Sequence, residues 1–159
     1  MIYDFTADDV FEMAEQIEKN GNIFYLTAAE SLNEKEAKEL LLEFAYMEKE
    51  HEKIFSDMRK SLSSEEKQKT VFDPESEAAQ YLKALADTRV FFDKKIDVSS
   101  LENILKDAIQ AEKDSIVFYL GMKEAVPEEL GQKQLDGIIK EEMSHIRLLS
   151  NKLVQIKSV

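Results

Sequence analysis

A chain of 159 residues, 43% of them hydrophobic, has the size and the apolar content for one domain, residues 1–159, around a single core. Its net charge of −12 repels a phosphate backbone, and no apolar stretch is long enough to span a bilayer, so neither nucleic acid nor membrane is a predicted partner. The absence of Cys excludes disulfides and thiolate-bound iron or zinc within the chain, and the N-terminus carries no basic and apolar leader, which predicts a cytoplasmic protein.

Only 4 Gly and 2 Pro interrupt a sequence rich in strong helix formers, so an all-α fold is expected. The first helix is predicted to begin near Thr6, where Thr6-Ala-Asp-Asp9 resembles a capping box, and to run to about Ser31. Asn33 with Glu36 is placed to cap a second helix from Glu34 to about Leu62. The Ser-rich, charged stretch that follows reads as its end. Residues 63–98 form a long connection, within which Glu75 to Phe92, following Pro74, is predicted to be a shorter helix. Ser99-Ser-Leu-Glu102 is a capping box for a third long helix reaching about Ala125. Pro127 suits the first turn of a fourth, which continues nearly to the C-terminus.

Two helical hairpins joined by one long crossover make a four-helix bundle that is not a simple up-down-up-down one. The chain also repeats itself. A shift of 94 residues aligns Glu18 with Glu112, Phe24-Tyr25-Leu26 with Phe118-Tyr119-Leu120, Glu48 with Glu142, and His51 with His145. Each half is therefore one hairpin of a pseudo-symmetric bundle.

In the second helix Leu41, Phe44, Glu48, His51, Phe55 and Met58 follow alternating spacings of three and four, which places them on one stripe. The fourth helix repeats the pattern with Leu135, Ile138, Glu142, His145 and Leu149. Glu18 lies among Ala14, Ile17, Gly21 and Tyr25 on the first helix, and Glu112 among Ala108, Ala111, Ser115 and Tyr119 on the third. Four carboxylates in one core lose hydration and repel each other, at a cost on the order of several kcal/mol per ion. Two divalent cations would neutralise them, with one imidazole nitrogen for each. Protonation of the carboxyls is the competing solution, but it does not account for a His three residues after a Glu in both halves. Glu18, Glu48, His51, Glu112, Glu142 and His145 are thus the predicted metal ligands, and through the metals the predicted catalytic residues.

Tyr25 and Tyr119 each follow a predicted ligand by seven residues, two turns along the same face, where a hydroxyl can reach a carboxylate. They also serve as core aromatics, as do Phe24, Phe44, Phe55 and Phe118. Glu15, Glu30, Glu50, Glu124 and Glu141 fall off the stripe and read as solvated charges.

The doubled motif, Glu18-x6-Tyr25-x22-Glu48-x2-His51 and Glu112-x6-Tyr119-x22-Glu142-x2-His145, resembles the rubrerythrin family of the ferritin-like superfamily. The resemblance implies a ferritin-like bundle with two iron ions, cycling between Fe(II) and Fe(III), bridged by Glu48 and Glu142. His51 and His145 are then terminal ligands, and Glu18 and Glu112 the remaining carboxylates. It further implies reduction of hydrogen peroxide or oxygen, and so protection against oxidative stress. The cysteine-bearing rubredoxin domain of full-length rubrerythrins is expected to be absent, so electrons would come from an external donor such as a rubredoxin-like protein. Ser115 stands where rubrerythrins typically place an extra carboxylate.

Manganese or zinc also suit these ligands, and a homodimer is the expected assembly. Two other functions fit the same residues. One is ferritin-like iron oxidation and storage; the other is a non-catalytic metal-binding protein whose ions hold the bundle together.

Overall fold

The computed structural model describes residues 6–68, 75–88 and 97–158. Helix α1, Ala7–Glu30, starts on the predicted capping box: the Asp9 amide donates to Thr6 Oγ1 at 3.2 Å and the Thr6 amide donates to Asp9 Oδ2 at 2.8 Å. Helix α2, Lys35–Ser61, is capped by Glu34 and not by Asn33. The Glu34 carboxylate accepts from the amides of Glu36 and Ala37 at 3.2 and 2.9 Å, and Lys152, 3.6 Å away, steadies it. A carboxylate at a helix N-terminus gains from the helix dipole as well as from the amides, which a neutral Asn cannot match.

The Ser-rich stretch holds a structure of its own. Ser63 and Glu66 form a reciprocal cap, with contacts of 3.1 and 2.8 Å, that opens the short helix α3, Ser64–Gln68. Helix α4, Glu77–Thr88, is shorter at its start than the predicted Glu75 to Phe92, because Ser76 caps it through the Ala79 amide. Residues 89–92 lie outside the described residues. Helix α5, Leu101–Ala125, is capped by Ser100 instead of Ser99, while Glu102 pairs outward with Lys106 at 2.8 Å. Pro127 opens a single 3-10 turn, Glu128–Leu130, and not the fourth long helix. Gly131, at φ +119°, then redirects the chain into α6, Gln132–Lys157.

Helix α1 packs along α2 and α5 packs along α6, giving the two predicted hairpins, with α4 laid against α5. No helix among the described residues is long and apolar enough to cross a membrane. The interior holds two apolar clusters. One contains Phe11 of α1, Phe55 of α2, Phe118 and Met122 of α5, and Leu135 of α6. The other contains Tyr25, Phe44, Leu105 and Leu149 from the same four helices. In every long helix the predicted ligands fall between the residues of the two clusters, so they form a polar layer closed above and below by apolar side chains.

At one end of the first hairpin Arg59 of α2 grips Asp8 of α1 with two hydrogen bonds of 2.8 Å, and this lowers the Asp8 pKa. Glu15, read from sequence as a solvated charge, joins this cluster 3.6 Å from Arg59, and burial raises its pKa. The tightest backbone requirement is at Gly131. A Cβ there would lie 2.3 Å from Met58 Cε in a conformation that L residues rarely adopt. We expect Gly131→Ala to cost about 1–2 kcal/mol, seen as a lower urea midpoint with an unchanged slope. An unchanged midpoint would show that the turn can relax without loss.

Candidate metal centre

All six predicted ligands converge in the polar layer, and each is buried. Glu18 comes from α1, Glu48 and His51 from α2, Glu112 from α5, and Glu142 and His145 from α6. His51 Nδ1 lies 2.9 Å from Glu142 Oε1 and 3.4 Å from Glu18 Oε2. His145 Nδ1 lies 3.2 Å from Glu142 Oε2, 3.3 Å from Glu112 Oε1 and 3.6 Å from Glu48 Oε1. Glu18, Glu48, His51 and Glu142 each offer a ligand atom within 4.8 Å of the others, and so do Glu48, Glu112, Glu142 and His145. Glu48 and Glu142 belong to both quartets.

Gly21 has a part in this arrangement that its place on the stripe did not reveal. A Cβ there would sit 2.4 Å from Glu48 Oε2, so the missing side chain is the space the carboxylate occupies. Ser115, its counterpart in the repeat, turns its hydroxyl onto the Ala111 carbonyl of its own helix at 3.0 Å.

Glu18 Oε2, Glu48 Oε1, both oxygens of Glu142 and the Nδ1 atoms of both histidines are buried without a hydrogen-bond partner. The nearby imidazole and carboxylate atoms are close enough to attract but not directed as donor and acceptor. A buried polar atom left unpaired costs about 1–3 kcal/mol, and six of them facing one another is the arrangement a bound cation resolves. Carboxylate oxygen with imidazole nitrogen is a donor set that fits divalent first-row metals.

The same crowding shifts the acid–base equilibria. Burial, then the charges of Glu142, Glu18 and Glu112, pushes Glu48 well above the usual carboxylate range. Burial and the charges of Glu112 and Glu18 push Glu142 up to about 8. Glu112 moves the other way: burial opposes ionisation, but the adjacent Glu142 carboxyl, the His145 imidazole and the Tyr25 hydroxyl together outweigh it. Burial disfavours charge on the imidazoles, yet the surrounding carboxylates raise His51 to about 11 and His145 to about 9.

Both tyrosines reach carboxylates, and they do so crosswise. Tyr25 donates to Glu112 and Tyr119 donates to Glu18, each hydroxyl bridging from its own hairpin to the other. Burial, reinforced by the neighbouring carboxylates, raises both phenol pKa values well above normal, which keeps the hydroxyls protonated as donors. Phe24 packs at the edge of the core, and Phe44, Phe55 and Phe118 lie within it; Phe44 also stacks on His145, with ring centroids 4.5 Å apart.

Two contacts were not anticipated. Glu141 is not merely a solvated charge: its Oε2 lies 2.5 Å from His51 Nε2, although the side chain is 53% exposed. Met47 Sδ lies 3.3 Å from His145 Nε2. Both contacts cross between α2 and α6, and the periodicity of a single helix carries no signal for them.

A sequence model of the family described as Rubrerythrin matches residues 9–153. Among solved structures, the chain is similar to a Thermotoga maritima protein described as ferritin-like and diiron-carboxylate, with 27% identity and a TM-score of 0.71, over 96% of this chain and 97% of that one. No curated protein sequence gives a significant match.

The shifted pKa values fix how stability depends on pH when a chelator is present. His51 and His145, raised above the 6.5 of a free imidazole, contribute stability below pH ~6.5 that is lost as pH climbs through their folded values. Glu142 holds a proton in the fold that the unfolded chain releases between pH 4.5 and about 8, so it acts with the same sign. Chelator-treated protein should therefore melt several degrees lower at pH 9 than at pH 6, given that ~1 kcal/mol moves Tm by about 2–4 °C at this size. A Tm that is flat or rising over that interval would contradict the electrostatics of the layer.

Proposed function

The chain belongs to the rubrerythrin family, and from that premise we propose that it is a di-iron carboxylate oxidoreductase reducing hydrogen peroxide or oxygen with electrons from a separate redox protein. The observation that carries this reading is the pair of buried quartets sharing Glu48 and Glu142. Glu18 and His51 would hold one ion, Glu112 and His145 the other, with Glu48 and Glu142 bridging. Two bound iron ions supply two electrons in passing from Fe(II) to Fe(III), the number that turns one hydrogen peroxide and two protons into two waters.

The protein groups have separable tasks. Tyr119 holds its proton at Oη against Glu18 Oε1 and so leaves Oε2, the unpartnered oxygen, facing the site. Tyr25 donates to Glu112 Oε1, the same oxygen that lies 3.3 Å from His145 Nδ1, and so fixes that carboxylate at its site-facing atom. The apolar clusters on either side keep bulk water from the layer, which strengthens every charge interaction inside it. Supply of electrons by a cytoplasmic rubredoxin-like donor follows from the same reading, since the chain has no Cys.

Anaerobic titration with Fe(II) should saturate at two ions per chain, and one equivalent of peroxide should oxidise both. Accumulation of further iron per chain in air would instead favour storage. Glu18→Ala should remove one ion, whereas Glu48→Ala should weaken both, because Glu18 belongs to one quartet and Glu48 to both. Equal effects of the two substitutions would overturn the bridging assignment.

A further inference from the structure

Met47 and Glu141 occupy the same position of the 94-residue repeat, each immediately before a quartet Glu and four residues before a quartet His. They are also structural counterparts, for each faces the outer nitrogen of the histidine on the opposite helix. Yet one is a thioether and the other a carboxylate. His51 Nε2 has a carboxylate oxygen at 2.5 Å, whereas His145 Nε2 has a sulfur at 3.3 Å and Phe44 stacked on its ring.

Resting on the reading of the quartets as metal positions, we propose that the two positions are inequivalent, with the one built on Glu18 and His51 binding its ion more tightly. The cause is the outer partner of each imidazole. A carboxylate that accepts the Nε2 proton fixes the tautomer, locks the ring so that Nδ1 faces the ion, and raises the basicity of Nδ1. A thioether is a weak acceptor and does little of this. Glu141 is thus a positioning residue: it acts on the ion through His51 and does not touch it.

Zn(II) tests this without redox chemistry, by competition against a chromophoric chelator. Wild type should bind two ions in steps separated by at least ~10-fold, the lower end of what outer partners of ligand histidines contribute, and Glu18→Ala should abolish the tighter one. Glu141→Met should weaken that step by ~10–100-fold and bring the two together. Met47→Glu should tighten the weaker step, and the double exchange Glu141→Met with Met47→Glu should restore two separated steps. Glu141→Gln, which keeps an acceptor oxygen, should fall between wild type and Glu141→Met; a merely structural residue would show no such grading. Circular dichroism controls for folding, which the half-exposed Glu141 is placed to tolerate. Two equal steps in wild type, or a tighter step indifferent to Glu141→Met, would overturn the inequivalence alone. Fewer than two Zn(II) ions bound by wild type would overturn the di-metal reading beneath it.

Discussion

Four glutamates buried in a single layer are the constraint from which the rest of this molecule follows. Their mutual repulsion and lost hydration oppose folding, so they must be compensated locally. Two imidazoles and two phenols stand among them, and an apolar cluster on each side gives the four helices a reason to stay packed. Where the layer needs space, the sequence has a glycine: Gly21 stands against the Glu48 carboxylate. Where it needs fixed orientation, a hydroxyl reaches over from the other hairpin.

That crosswise bonding explains how the two hairpins cohere. The closest backbone packing lies within each hairpin, so the hairpins meet through long side chains. Tyr25 to Glu112 and Tyr119 to Glu18 span the divide, as do His51 to Glu141 and His145 to Met47. A quartet likewise takes three residues from one hairpin and one from the other. The layer that most opposes folding is therefore also the seam that unites the halves.

The bundle and its six inward residues were legible because buried charge is rare, and because Glu and His recur with apolar residues at helical spacing in both halves. Periodicity reports which face of a helix is covered, and all six lie on a covered face. It does not report what a residue beside that face touches across the gap to another helix, and so the exposed Glu141 and the partly buried Met47 stayed hidden. Helix boundaries were misplaced by small chemical competitions: Glu34 over Asn33, Ser100 over Ser99, and Gly131, not Pro127, as the last residue before α6. The Ser-rich stretch concealed a cap, since Ser63 and Glu66 fit the capping-box pattern as well as Thr6 and Asp9 do.

The 94-residue repeat also bears on how such a layer can acquire different halves. Two identical separate hairpins related by a true twofold axis would present the same residue to both histidines, either two carboxylates or two thioethers. No substitution in such an assembly could alter one histidine's environment and spare the other's. Joining the hairpins in one polypeptide lifts that symmetry requirement, so a single codon can change one side alone. Met47 opposite His145 and Glu141 opposite His51 are a difference that two identical hairpins could not encode.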